Sequence, residues 1–280
     1  MKTLSLADRA LHTERAAFVM GIVNATPDSF WEPSRGGLDE ALRLIDEGAD
    51  LLDIGGESTR PGSGYVDEAE EIRRVVPLVA AIRAHSSIAL SVDTRKSAVM
   101  RAALDAGADI LNDVSALEDD DRMAPLCAER GIPVILMHKR GVPATMQQET
   151  GYADAFAEVS AYLEQRAAFA EQAGIARERI IVDPGIGFGK DTAANVALIR
   201  ACGALCGRRY PVLMALSRKT VIGELLGGAP TSERLYGTLT ADVLSVLAGA
   251  SIIRVHDVKA ACDTMTVLGK IGYTVGEALP

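Results

Sequence analysis

The stretch DAGADILND at residues 105–113 has the pattern of a helix end that runs directly into a buried strand. Its Gly107 suits the left-handed conformation that closes a helix, and the apolar residues after it suit a strand. The same pattern recurs in DEGADLLDI at residues 46–54 and in LAGASIIRV at residues 247–255. A helix that ends on glycine and feeds a strand, repeated along one chain, predicts alternating strand–helix units.

Eight short apolar runs are spaced along the chain, separated by longer amphipathic stretches. Near-continuous apolar strands are typical of a parallel sheet covered on both faces, and eight such units predict an α/β fold, a single (β/α)8 TIM barrel. A doubly wound open sheet is the alternative, but no Gly-x-Gly-x-x-Gly follows the first strand, which disfavours dinucleotide binding. The apolar runs are FVMGIVN, DLLDIGG, IALSVDT, DILNDV, PVILMH, IIVDPG, PVLMALS and SIIRVHD. The helices predicted between them include residues 38–48, 67–84, 96–107, 153–173 and 232–248.

No linker or low-complexity segment divides the 280 residues, so we expect one barrel domain at residues 18–280 after a peripheral extension at residues 1–17. The formal net charge of −9 disfavours nucleic acid as a partner, because phosphate contacts need clustered Lys and Arg. The start of the chain does not read as a signal peptide, and no apolar run is long enough to span a membrane. The four cysteines form neither a CxxC pair nor a zinc spacing, which predicts reduced thiols in the cytoplasm.

Polar side chains end every predicted strand, at the end where barrel enzymes place their active sites. Any one of them would most simply be a helix cap or a turn former. Because they all meet at one end of the barrel, we expect a ligand site there. The residues are Asn24, Glu57, Thr59, Arg60, Pro61, Asp93, Asn112, Asp113, His138, Asp183, Ser217, Arg218, Lys219, Arg254 and His256.

The residue types predict two kinds of ligand group. Asp93, Asn112 and Asp183 suit a flat, nitrogen-rich heterocycle, since a carboxylate accepts two N–H donors and an amide reads a neighbouring donor and acceptor. Arg254 and His256 point to the same face of their strand and suit an anion such as phosphate, although a salt-bridged core is the alternative. The Asn24 side chain offers a hard oxygen that, with phosphate oxygens and waters, would suit Mg2+.

Seven motifs closely resemble the dihydropteroate synthases of folate biosynthesis, in the same order and over nearly the whole chain. They are MGIVNATPDSF, DIGGESTRPG, SVDTRK, LNDVSAL, IVDPGIGFGK, LSRKTVIG and IRVHDV. The resemblance implies a TIM-barrel transferase that joins 6-hydroxymethyl-7,8-dihydropterin diphosphate to p-aminobenzoate, giving 7,8-dihydropteroate and diphosphate. It also implies a homodimer, with Mg2+ beside the diphosphate, and the family is the sulfonamide target.

The resemblance also implies a role for each matching residue. Diphosphate would leave ahead of amine attack, through a cationic pterin methylene, with Arg254, His256, Lys219 and Asp183 as the catalytic groups. The implied sets are Asn24 for Mg2+; Arg254 and His256 for diphosphate; Asp93, Asn112, Asp183 and Lys219 for the pterin; and Thr59, Arg60, Pro61, Phe188 and Ser217 for p-aminobenzoate.

The first loop departs from the family pattern. After TPDSF the family usually continues with Ser-Asp-Gly-Gly, whereas this chain has WEPSRGG at residues 31–37, with Glu32 near the place of the second Asp. This change leaves sulfonamide sensitivity open and supports one alternative function, a non-catalytic pterin-binding paralogue. A pterin-dependent methyltransferase is a second alternative, which GGESTRPG at residues 55–62 and the Arg-x-His at residues 254–256 disfavour.

Overall fold

The structure is a computed structural model that describes residues 1–25, 35–57, 65–141 and 150–272. Strands and helices alternate through these ranges. The strands are β1 (Lys2–Ser5), β2 (Ala10–Thr13), β3 (Phe18–Asn24), β4 (Leu51–Gly55), β5 (Ala89–Asp93), β6 (Ile110–Asp113), β7 (Val134–Met137), β8 (Ile180–Asp183), β9 (Leu213–Met214) and β10 (Ile252–Val255). The α-helices are α1 (Arg35–Asp46), α2 (Glu68–His85), α3 (Ser97–Asp105), α4 (Met123–Arg130), α5 (Ala155–Gln172), α6 (Thr192–Ala201), α7 (Thr220–Leu225), α8 (Leu235–Ala248) and α9 (Val258–Ile271). Short 3-10 helices cover Arg177–Arg179, Cys202–Arg208 and Thr231–Glu233.

Strands β3 to β10 form one parallel sheet that closes on itself. Their order runs from β8 down to β3 and continues through β10 to β9. A parallel bridge between Val182 in β8 and Val212 before β9 joins the two ends, and the Val182 N–H donates to the Pro211 carbonyl at 3.0 Å. The predicted (β/α)8 barrel is therefore confirmed, and closure leaves no exposed edge along these strands.

The five predicted helices are present, with ends that shift by at most three residues. Glycine explains one of the predicted junctions directly: Gly107, after α3, has φ +108°, a conformation that L side chains rarely adopt. A Cβ at Gly107 would also lie 3.0 Å from the Arg83 side chain of α2. Among the helices in the described ranges, none combines the length and the apolar character that a membrane crossing requires.

A hairpin of β1 and β2 covers the amino-terminal end of the barrel. Its strands pair antiparallel, outside the eight-stranded sheet. Leu4 and Leu6 are buried in the same apolar cluster as Phe18 and Met20 of β3. The Lys2 ammonium donates to the Ala250 carbonyl at 3.1 Å. The extension thus packs against the end opposite the strand carboxyl termini, while the boundary between residues 1–17 and 18–280 stays a prediction.

Candidate active site

Strand alternation places polar side chains inside the barrel, above its apolar floor. Ile252 of β10 belongs to the interior cluster, whereas Ile253 and Val255 pack outward against the helices. Arg254 therefore shares the inward face of Ile252. The same alternation, counted from Met20, Leu51, Ala89, Ile110 and Ile181, turns five further polar residues inward. They are Asn24, Asp53, Asp93, Asn112 and Asp183.

Arg254 and Asp53 form the centre of this polar layer. The Arg254 Nε donates to Asp53 Oδ2 at 2.6 Å, and its Nη2 lies 3.4 Å from Asp93 Oδ2. The Asn112 amide also donates to Asp53 Oδ2, at 3.0 Å. The Asp53 carboxylate of β4 thus joins Asn112 of β6 to Arg254 of β10, and Arg254 in turn contacts Asp93 of β5.

Sequence reasoning missed Asp53. Its signal is in DLLDIGG, where an acid stands in the middle of an otherwise apolar parallel strand. Counting by two from Leu51 turns Asp53 toward the barrel interior, which is where an active site would use it. Asp53 is fully buried, and its Oδ1 has no hydrogen-bond partner among the described residues. A buried, unsatisfied acceptor beside ligand-binding groups is available to a substrate donor.

The charges in this layer shift one another's pKa values. Burial and the nearby Asp53 carboxylate raise the pKa of Asp93, while Arg254 acts in the opposite direction. Burial alone would lower the pKa of Arg254, but Asp53 and Asp93 outweigh it, so the net shift is upward. The guanidinium therefore remains charged, and Asp93 protonates more readily than an ordinary carboxyl group.

Asp183, Lys219 and Phe188 come together beside this cluster. Asp183 Oδ1 accepts the Gly185 N–H at 2.7 Å, which fixes the turn after β8. The Lys219 ammonium donates to the Ile186 carbonyl at 2.6 Å and lies 4.9 Å from the centre of the Phe188 ring. Burial raises the pKa of Asp183, against the opposing charge of Lys219. Burial lowers the pKa of Lys219 to about 8, and Asp183 limits that decrease.

Ser217 and His256 meet at the mouth of the barrel. The His256 N–H donates to Ser217 Oγ at 3.1 Å, and His256 Nδ1 lies 2.9 Å from the same oxygen. Ser217 is buried, so this hydroxyl fixes the orientation of the imidazole ring. The structure places His256 two residues beyond Arg254, at the carboxyl end of β10.

Three other strand-end candidates have structural partners. Asp113 accepts hydrogen bonds from the Ser115 and Leu117 N–H groups and so stabilises the turn after β6. Arg218 pairs with Asp257 through two contacts of 2.8 Å. Glu57 pairs with Arg95 at 3.0 Å and with Lys96. These contacts account for their position without a ligand.

The structure describes Asn24, the residue predicted to bind Mg2+, but not the loop that carries Thr59, Arg60 and Pro61. Asn24 ends β3 beside Gly55 and is exposed at the barrel mouth. In the ranges that the structure describes, no group of three or more His, Cys, Asp or Glu side chains is arranged to hold a metal. A Mg2+ at Asn24 stays a prediction. Thr59, Arg60 and Pro61 lie outside the described residues.

Comparison with known proteins shows the family to which the chain belongs. The family model for pterin binding enzymes matches residues 20–256. The dihydropteroate synthase of Escherichia coli K12 is 44% identical over 258 residues, which cover 89% of this chain and 90% of that one. The chain belongs to the dihydropteroate synthase family. As a dihydropteroate synthase, it is a transferase of folate biosynthesis.

Solved dihydropteroate synthases share the whole fold. The Xanthomonas albilineans enzyme, solved with 4-aminobenzoic acid, has a TM-score of 0.89 and 44% identity, with 99% of both chains covered. The Burkholderia cenocepacia enzyme, solved with 7,8-dihydropteroate, has a TM-score of 0.87 and 43% identity, with 96% of both chains covered. The likeness to the Xanthomonas enzyme takes in the amino-terminal extension as well as the barrel, because it covers 99% of this chain.

Proposed function

We propose that this chain condenses 6-hydroxymethyl-7,8-dihydropterin diphosphate with p-aminobenzoate through the residues that meet at the mouth of its barrel. The observation that carries the proposal is the hydrogen-bonded set of Arg254, Asp53, Asp93 and Asn112, with Asp183 and Lys219 beside it. Donors and acceptors from six strands or their loops converge there in a layer that is largely shielded from water. Such convergence suits a ligand with both ring nitrogens and a charged tail.

The inner part of the site suits the pterin ring. Asp93, Asn112 and Asp183 are each at most 9% exposed, so their oxygens are shielded from competing water. An amino-pyrimidine edge presents paired N–H donors, which a carboxylate accepts well. Lys219 would donate to a ring carbonyl or nitrogen from the same side as Asp183. The Asp53 Oδ1, which has no partner among the described residues, adds a further acceptor.

The outer part of the site suits the diphosphate. Arg254 is partly exposed, with 20% of its side chain accessible, and His256 lies next to it at the mouth. A guanidinium that two carboxylates already orient can meet phosphate oxygens with little reorganisation. Asn24 would offer one oxygen to Mg2+, and a bound Mg2+ would neutralise charge on the leaving diphosphate.

The p-aminobenzoate site would lie between Phe188 and Ser217. The Phe188 ring borders Lys219, and Ser217 is fixed by His256, so both flank the place where a pterin methylene would react. The Xanthomonas enzyme was solved with 4-aminobenzoic acid, which supports an arylamine as the second substrate. Thr59, Arg60 and Pro61, which lie outside the described residues, complete the proposed site.

The reaction needs charge stabilisation more than proton transfer. Arg254 and His256 would stabilise the negative charge that develops on diphosphate as the carbon–oxygen bond breaks. Asp183 and Asp93 would hold the ring and offset positive charge on the pterin. The arylamine is already nucleophilic, so no strong base is required. Exclusion of water from the buried floor protects the cationic methylene from hydrolysis.

A turnover assay with both substrates and Mg2+ tests this function. We expect diphosphate release that depends on p-aminobenzoate, together with formation of 7,8-dihydropteroate. Binding of the pterin diphosphate without turnover would favour the non-catalytic paralogue. Methyl transfer from a methylated pterin to a corrinoid protein would favour the methyltransferase.

We also propose a cytoplasmic homodimer. The outer face of α8 exposes Tyr236 by 81% and Leu244 by 50%, two positions eight residues apart and so on one side of the helix. On the neighbouring α9, Val267 and Ile271 are more than half exposed. Apolar side chains aligned in this way suit an interface with a second copy. Light scattering should give twice the chain mass, and Leu244→Arg should give the monomer.

A further inference from the structure

Lys190 lies in a cage of hydrogen-bond acceptors outside the proposed substrate contacts. The residue is 3% exposed. Its ammonium lies 2.9 Å from His138 Nδ1, and it donates to the backbone carbonyls of Gly185, Phe188 and His138 at 2.9, 3.0 and 3.3 Å. Within the described part of the chain, no carboxylate forms an ion pair with it. A buried cation costs free energy unless its hydrogen bonds are made, so this cage has to stay closed around it.

The His138 side chain is in the protonation state that accepts a hydrogen bond from Lys190. Burial, the Lys190 charge and Arg140 lower the pKa of His138 to about 3, so the imidazole is neutral near pH 7. A neutral imidazole with its proton on Nε2 presents Nδ1 as an acceptor. The His138 and Tyr162 rings pack edge to face, with centroids 4.9 Å apart, which holds the imidazole in place.

The cage fastens the loop between β8 and α6. Gly185, Gly187 and Gly189 in this loop all have positive φ, a pattern that has little intrinsic stiffness. A Cβ at Gly185 would lie 1.9 Å from the His138 carbonyl oxygen, so the loop runs directly against the end of β7. Lys190 closes the loop by reaching back to its first residues. The Asn195 amide completes the closure, since its Oδ1 accepts the Gly187 N–H at 2.9 Å.

The fastened loop presents two groups to the proposed active site. The Ile186 carbonyl accepts the hydrogen bond from Lys219, and the Phe188 ring lies beside the same ammonium. Both residues lie between Gly185 and Lys190, where the cage begins and ends. A displacement of this short segment would therefore move the Lys219 ammonium and the Phe188 ring together.

We propose that Lys190 is a positioning residue for the condensation: its ammonium holds the β8–α6 loop so that Lys219 and Phe188 are aimed at the two substrates. The inference rests on the proposed function, because Lys219 is assigned to the pterin and Phe188 to p-aminobenzoate. Lys190 itself touches neither substrate in this arrangement. Burial lowers the pKa of Lys190 to about 7, and the charge of Asp183 limits that decrease. In its protonated form the amine offers three N–H donors to the acceptors around it.

Lys190→Met tests the proposal, because methionine fills similar space and donates no hydrogen bond. We expect the KM for p-aminobenzoate to rise about tenfold, with kcat changed less than about threefold, since a small misplacement of a positioning group weakens substrate alignment. Titration calorimetry with the pterin diphosphate alone should show affinity about fivefold weaker, through Lys219. Lys259→Met is the matched control, because the Lys259 ammonium pairs with the exposed Asp263 in the next turn, and the constants of this variant should equal those of the wild type.

The outcomes separate positioning from simple stability. A purely structural role would lower the melting temperature and the active fraction but leave both KM values and the pterin affinity unchanged, and that result overturns the proposal. If Lys190→Met does not fold, His138→Ala removes a single cage acceptor and should raise the KM for p-aminobenzoate about threefold. If folded His138→Ala has an unchanged KM for p-aminobenzoate, the positioning proposal is overturned. If the wild type itself shows no turnover, the proposed function fails, and the calorimetric comparison decides the positioning role alone.

Discussion

Arg254 and Asp53 are 201 residues apart in the chain, yet the guanidinium Nε donates to the carboxylate Oδ2 across 2.6 Å. The same oxygen accepts the Asn112 amide, so one carboxylate orients a cation and an amide together. Because Asp53 is fully buried, this orientation exists before any substrate arrives. Groups fixed in advance need no reorganisation as charge develops, which is how enzymes stabilise a leaving anion.

Asp53→Asn should lower kcat/KM for the pterin diphosphate by about tenfold to a hundredfold. The amide keeps the shape of the side chain but loses the charge that holds Arg254, and its N–H group would face the guanidinium donors. Steady-state kinetics at saturating p-aminobenzoate measures this change. Asp263→Asn, on the exposed side of α9, is the control and should behave as the wild type. Equal kcat/KM in both variants would show that Arg254 is oriented without Asp53.

Arg254→Ala should weaken binding of the diphosphate substrate by about 2–5 kcal/mol, the usual cost of truncating one partner of a buried charge pair. Asp53 would then lack its cationic partner, and its charge would repel the diphosphate. Calorimetry with inorganic diphosphate and with the pterin diphosphate gives the change directly. Arg177→Ala removes an exposed arginine and serves as the control. Unchanged diphosphate affinity in Arg254→Ala would exclude Arg254 as the anion contact.

Asp183→Asn should weaken recognition of the pterin ring while leaving diphosphate affinity nearly unchanged. A carboxylate accepts two N–H bonds from an amino-pyrimidine edge, whereas an amide accepts one and sets a donor against the other. The Asn side chain can still accept the Gly185 N–H, so the turn after β8 should persist. Binding of the pterin without its diphosphate isolates the ring contact. Full ring affinity in this variant would assign the contact to another residue.

The sequence predicted the barrel because each strand is a continuous apolar run and several helices end on glycine. It placed Asp93, Asn112, Asp183 and Arg254 in one site because the carboxyl ends of parallel strands meet at one end of a barrel. It did not predict Asp53, because an acid inside an apolar run is recognised as a site residue only when the strand residues that face the barrel interior are counted one by one. It also could not predict the cage around Lys190, because three of its four acceptors are backbone carbonyls. Every residue has such a carbonyl, so the residue types do not show which ones accept from Lys190.

Lys96→Met should destabilise the fold by about 3–5 kcal/mol, because it leaves the buried Glu71 carboxylate without its cation, whereas Glu57 keeps Arg95. The Lys96 ammonium pairs with Glu71 at 2.5 Å and also with Glu57. Glu71 has a side chain that is only 1% exposed, so water cannot replace the lost partner. Urea denaturation followed by circular dichroism measures the free energy of unfolding. Lys259→Met should stay within about 0.5 kcal/mol of the wild type, as exposed substitutions do.

Asp242→Ala should stabilise the protein, and the gain should grow as pH rises. Asp242 lies in α8 with no exposed surface, and neither of its oxygens has a hydrogen-bond partner among the described residues. Burial raises its pKa well above the ordinary value of 3.8, so the folded chain holds a proton that the unfolded chain releases near that value. Between those two pKa values the folded state binds more protons, and its stability therefore falls as pH rises.

Alanine at position 242 removes this dependence and favours the helix, since alanine has the highest helix propensity. We expect a gain of about 1–3 kcal/mol at pH 8, the cost of a buried polar group without a partner, and a smaller gain at pH 4. Thermal and urea unfolding at pH 4, 6 and 8 give the two curves. Asp263→Ala, at a position with a 64% exposed side chain, should show neither effect. A difference between Asp242→Ala and wild type that stays constant from pH 4 to pH 8 would mean that Asp242 is ionised, and therefore solvated or paired, in the folded protein.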